Sequence, residues 1–124
     1  MIDISDIHFH DSTIRKIIEI PETDTLIFEV DYPIDWENNT FEIRYIVFQD
    51  ILEYKIEEGG FVGSPTFLDV YENGKTGERF NITLQTNAGT RSLSYTNVEL
   101  LENPGWDRQT SFAHHRNSIR VVSV

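Results

Sequence analysis

Apolar side chains recur at every second position along most of this chain, and that spacing points to strands. A strand sends successive side chains to opposite faces, so a period of two builds one apolar face for a half-buried sheet. The pattern is clearest over 25–32, where Leu26, Phe28, Val30 and Tyr32 share one face and Thr25, Ile27, Glu29 and Asp31 the other. Just before it, Ile14, Ile18 and Ile20 share a parity within 12–20, and Pro21 to Asp24 reads as a compact turn, so 12–32 predicts a hairpin. A third strand is expected over 40–48, entered from a loop at 33–39, with Phe41, Ile43, Tyr45 and Val47 inward.

The stretch 49–58 admits two readings. Phe48, Ile51, Leu52, Lys55 and Ile56 are spaced as on a helix, but no good N-cap precedes them and their neighbours are β-branched and aromatic. A bent or bulged strand is the preferred expectation, ended by Gly59-Gly60. Short strands follow at 66–72, 79–86 (Phe80, Ile82 and Leu84 on one face), 91–96 (Leu93 and Tyr95 inward) and 118–124. Asn73-Gly74 is a hairpin turn signal between the first two, 97–102 is of undecided state, and 103–117 reads as an irregular loop. The expected fold is a single all-β domain over 1–124. It is an antiparallel sandwich or open barrel of about seven strands with little or no helix, the sandwich being preferred.

Composition narrows the function classes. A 124-residue chain that is 39% hydrophobic, with fifteen aromatic residues, can bury one core, and the absence of cysteine leaves packing rather than disulfides to stabilise it. The net charge of −11 is unevenly spread: residues 1–60 carry fifteen Asp/Glu against four Lys/Arg, whereas 61–124 carry six of each. Such a surface repels phosphate backbones and anionic lipid and draws in cationic partners. Neither nucleic acid nor a membrane is therefore expected as partner. No apolar run approaches the about 18 residues that span a bilayer, and the acidic amino terminus is unlike a secretory signal. A cytoplasmic protein is expected.

Catalytic motifs are not found: there is no cysteine nucleophile, no Gly-x-Ser-x-Gly elbow and no Gly-rich phosphate loop, and with 21 acidic residues a carboxylate pair carries no information. The expectation is a non-enzyme without cofactor. His8-Phe9-His10 would place two imidazoles on one side of an extended chain, as strand-borne metal pairs are placed, with His114, His115 or an acidic residue to complete the set. The alternative is that Phe9 packs inward while Asp11 and Ser12 arrange the chain through local hydrogen bonds. Trp36, in Asp35-Trp36-Glu37, and Trp106 can stack on sugar rings, anchor an interface or plug an end of the sandwich. Trp106, Arg108 and His114 lie in a locally basic stretch that is a second candidate ligand site.

The segment Phe9-His10-Asp11-Ser12-Thr13-Ile14-Arg15-Lys16-Ile17, the strand at 25–32, and Tyr45-Ile46-Val47-Phe48-Gln49-Asp50-Ile51 together resemble a loose group of short bacterial cytosolic proteins. These share a His-Asp-Ser type start to the first hairpin, and some look like immunity proteins of polymorphic toxin systems. The resemblance covers the first half of the chain and brings no catalytic residues. It implies a stoichiometric binding protein that neutralises a partner by occupying its surface. The acidic residues Asp31, Asp35, Glu37, Glu57 and Glu58, with Trp36, are the expected contact region for a basic protein partner. A carbohydrate-binding sandwich using Trp36 and Trp106 and a metal-binding protein using His8 and His10 are the alternatives.

Overall fold

A computed structural model describes residues 2–35, 37–60 and 63–103, and the backbone of 120–123. Its described residues form nine antiparallel strands in two sheets: β1 (Thr13–Ile20), β2 (Thr25–Asp35), β3 (Thr40–Gln49), β4 (Tyr54–Glu58), β5 (Phe67–Thr76), β6 (Arg79–Thr86), β7 (Gly89–Tyr95), β8 (Asn97–Leu101) and β9 (Arg120–Ser123). Sheet order is β8-β3-β2-β1-β9 in the five-stranded sheet and β4-β7-β6-β5 in the four-stranded one. Among the described residues the helical content is two three-residue 3-10 turns, Ile4–Asp6 and Pro21–Thr23. No helix among the described residues is long and apolar enough to cross a membrane. The all-β sandwich expected from the alternation is the fold observed.

The core lies between the sheets. Leu26, Phe28, Val30 and Tyr32 face it from β2, as their parity predicts, and Ile82, Leu84, Leu93 and Tyr95 face it from the opposite sheet. Phe28 sits edge-on to Phe48 and Phe67, with centroids 6.0 and 5.6 Å apart, and Phe67 meets Phe9 at 5.2 Å. Edge-to-face contacts of this kind add to the stabilisation from burial alone. Along one side the sandwich is stitched shut. The Ile14 amide donates to the Pro65 carbonyl (2.8 Å) and the Phe67 amide to the Ser12 carbonyl (2.9 Å).

Four local expectations are corrected. In β1 a bulge between Ile14 and Lys16 shifts the register by one residue. Ile14 and Ile17 therefore enter the central core, while Ile18 and Ile20 join Ile27 and Val47 in a second buried cluster on the other face. In β3 the inward residues are Ile46 and Phe48, paired with Phe28 and Leu26, so Phe41, Ile43, Tyr45 and Val47 lie on the outer face. Asn73-Gly74 is not the hairpin turn. It forms a bulge between Glu72 and Lys75, with Gly74 at φ 95°, and the chain turns instead at Gly77 and Glu78, where Thr76 pairs with Arg79. Both uses exploit the positive φ that glycine permits.

The fourth concerns 49–58, which is neither one bent strand nor a helix. β3 stops at Gln49, Asp50 takes a left-handed φ of 60°, and after 51–53 the chain resumes as β4 in the other sheet. The Thr96 amide donates to the Gln49 carbonyl (3.2 Å) and the Ile51 amide to the Asp24 carbonyl (2.9 Å), holding the crossover. The 97–102 segment is β8, paired with β3, and the carboxy-terminal strand is β9, at the sheet edge beside β1.

Candidate functional site at the β2–β3 hairpin tip

The far end of the β2–β3 ladder differs from its middle. Ile46, Val47 and Phe48 of β3 are buried, whereas residues 40–43 are exposed. The reason is in the residues. On the inner parity β3 changes from Ile46 and Phe48 to Arg44 and Glu42, which cannot continue an apolar core and instead pair with each other at 3.0 Å. On the outer parity it keeps large apolar groups. Phe41, opposite Pro33, and Ile43, opposite Asp31, are about two-fifths exposed at 39% and 41%. Ile34 is similarly exposed at 43%.

Carboxylates rim this apolar tip. Asp31 accepts from Arg15 (Nη1 to Oδ1, 3.3 Å), and the same guanidinium lies 3.6 Å by Nε from Oε2 of Glu29. Glu29 is only 8% exposed and is also hydrogen-bonded to Tyr45. Tyr45 is held above its usual pKa by burial and then by this carboxylate. Asp35 organises the turn: its Oδ1 accepts from the Glu37 and Asn38 amides (3.1 and 3.3 Å), and its Oδ2 from the Asn38 side chain (2.6 Å). These bonds favour the ionised carboxyl and lower its pKa. Asp35 and Glu37 have no cationic partner among the described residues. The tip thus couples a small apolar surface to fixed negative charge.

The expected contact region divides. Asp31, Asp35 and Glu37 gather at this tip, but Glu57 and Glu58 lie on β4, in the other sheet. Glu57 is exposed and tied to Lys55 at 2.7 Å. Glu58 is turned inward as the partner of Arg91, a core-facing residue that is 4% exposed. Nε and Nη2 of Arg91 reach the two oxygens of Glu58 at 2.8 and 2.5 Å, and Nη1 donates to the Tyr54 hydroxyl at 2.6 Å. This bidentate pair supplies the counter-charge of a buried guanidinium whose remaining nitrogen is held by Tyr54. Burial dominates at Tyr54 and raises its pKa. Glu58 therefore belongs to the frame of the sandwich and not to an exposed contact surface. Trp36, Trp106, Arg108, His114 and His115 lie outside the described residues.

His8 and His10 are not a strand-borne pair. The Ser12 amide donates to the Phe9 carbonyl (2.9 Å), Asp11 has φ 68°, and the chain turns here. His10 Nδ1 is 2.8 Å from the Leu68 carbonyl, and its Nε2 faces Asp11 at 3.5 Å. The His8 ring tilts against Tyr32, whose hydroxyl accepts from the His8 amide at 2.9 Å. No group of three or more metal-ligating side chains comes together among the described residues. Two parts of the alternative arrangement are present: Phe9 is buried in the core, and the Ser12 hydroxyl donates to the His8 carbonyl at 2.8 Å.

Sequence reasoning placed the carboxylates of the tip but missed Phe41 and Ile43, which it assigned to the core. The signal that could have found them is the change of β3's even parity from apolar Ile46 and Phe48 to charged Arg44 and Glu42. No protein family model, no curated protein and no solved structure matches the chain.

Proposed function

We propose that this protein is a non-catalytic, intracellular protein-binding module that docks a basic partner through the tip of the β2–β3 hairpin, in the manner of an immunity-type inhibitor of a bacterial toxin. One observation carries the reading: exposed Phe41 and Ile43 stand beside Asp31, Asp35 and Glu37 at the paired end of β2 and β3. Interfaces are built this way, with an apolar centre that excludes water and a charged rim that steers and orients. The excess of eleven negative charges in residues 1–60 extends the attraction beyond contact distance.

The test is capture from a lysate of the source cell at roughly 50 and 300 mM salt, using wild type, Phe41→Ser/Ile43→Ser and Asp35→Asn/Glu37→Gln. A basic protein retained stoichiometrically by wild type, lost by the apolar double variant and weakened by salt and by charge removal is the expected result. Capture of no protein at either salt, or capture indifferent to both double variants, overturns the proposal.

A further inference from the structure

The outer face of the four-stranded sheet is chemically unlike the rest of the molecule. In a chain that is 25% charged, the outward positions along the two central strands past Arg79, which opens β6 and pairs with Asp50 at 3.0 Å, are Asn81, Thr83 and Gln85 on β6 and Thr90, Ser92 and Ser94 on β7, all neutral and polar. Charge otherwise stands at the margins: Lys55 and Glu57 pair at 2.7 Å on β4, and the exposed Asp69 lies opposite Gln85 on β5. A solvated surface ordinarily carries charged side chains of both signs interspersed. On this face they are missing from the central strands past Arg79.

The neutral groups are also held in place. The Asn73 side-chain amide donates to the Thr83 hydroxyl (2.7 Å), which is 3.1 Å from the Ser92 hydroxyl on the next strand, so one ladder runs across β5, β6 and β7. Beside it the Tyr71 hydroxyl donates to Gln85 Oε1 at 2.8 Å, which anchors the ring by its tip while the residue stays 48% exposed. A hollow of about 160 Å³ adjoins the ladder, with Asn73, Asn81, Ser92 and Ser94 on its wall and Lys55 and Glu53 at its rim as one charge of each sign.

We propose that this face binds a neutral oligosaccharide. Amides and hydroxyls offer donors and acceptors in the paired arrangement that vicinal sugar hydroxyls need. An anchored, half-exposed tyrosine offers the flat apolar surface on which the C–H face of a pyranose stacks. The neutrality of the central strands selects the ligand's charge: an anionic polysaccharide would meet the acidic remainder of the protein, and a basic protein is served better by the hairpin tip. Groups already ordered by their own hydrogen bonds lose less freedom on binding. The site is separate from the one proposed above, and either can fail without the other.

The experiment is a titration of the uniformly 15N-labelled full chain with cellohexaose, xylohexaose, mannohexaose, maltohexaose and chitohexaose, followed by amide chemical shifts. At least one sugar is expected to produce saturable shifts concentrated at 69–73, 81–85 and 90–94. Tyr71→Ala and Thr83→Val should each weaken that binding by about ten-fold or more, Tyr71→Phe by less, and Phe41→Ser not at all. Both Tyr71 and Phe41 are exposed, and the amide spectrum of each variant reports whether it is folded. Absence of saturable shifts with all five sugars, shifts located elsewhere, or affinity unchanged in Tyr71→Ala overturns the proposal.

Discussion

Two residues show how much of this fold rests on single contacts. Gly89 opens β7 at φ 146°, and a Cβ there would stand 2.2 Å from the Glu57 carbonyl oxygen and 2.8 Å from the Glu58 Cα. Both the dihedral and the close approach of β4 demand glycine, so Gly89→Ala is expected to cost about 2–4 kcal/mol in urea unfolding. In the sequence Gly89 is legible only as a turn residue after Asn87-Ala88, because the strand that crowds it lies some thirty positions earlier. The same distance hides Glu58. Its neighbours Glu57 and Glu53 are surface acids, and nothing local distinguishes it until Arg91 is placed opposite. Glu58→Ala leaves that guanidinium buried without a counter-charge and is expected to lower stability by about 3–5 kcal/mol. Glu57→Ala, which removes only an exposed pair with Lys55, should leave the urea midpoint unchanged.

At the scale of the strand, β3 is where period-two reading fails, and the cause is physical. Tyr45-Ile46-Val47-Phe48 is apolar on both parities, because one face meets the central core and the other meets the second cluster of Ile18, Ile20, Ile27 and Val47. Alternation cannot choose between two buried faces. β2 was legible because its outer parity carries Glu29 and Asp31, and β6 because its outer parity is Asn81, Thr83 and Gln85. Two of the register shifts have a related origin: one extra residue at 14–16 or at 73–74 exchanges the faces without altering the composition. The orientation of β3 gives a sharp contrast. Phe48→Ala and Ile46→Ala should destabilise by about 3–5 and 2–5 kcal/mol, whereas Phe41→Ser and Ile43→Ser should cost roughly 0.5 kcal/mol or less. The reverse ranking by urea denaturation would restore the orientation expected from sequence.

For the molecule as a whole, burial and charge set the response to pH. Burial, with smaller contributions from Asp3 and Glu72, raises the Tyr95 phenol from a usual 10.0 to about 12. The folded state then keeps a proton that the unfolded chain has lost, so stability is full below pH 10 and falls as pH rises through that interval. Tyr54 and Tyr45 are shifted in the same direction. The drop in urea midpoint between about pH 9 and about pH 11 should therefore be smaller in Tyr95→Phe than in wild type. An equal drop in both would mean that the phenol is not buried as described.

The charge asymmetry between the two halves of the chain was fully visible in the sequence. What sequence could not supply is that the fold sends Glu57 and Glu58, two of the five expected acidic contact residues, to the opposite sheet and leaves the other three beside Phe41 and Ile43. The most direct measurement of the central claim is hydrogen–deuterium exchange of the protein alone and bound to its captured partner. Protection on binding is predicted across 31–35 and 37–43, strongest at low salt, with β6 and β7 unchanged. Protection elsewhere, with the exchange of the hairpin tip unaltered, would contradict it.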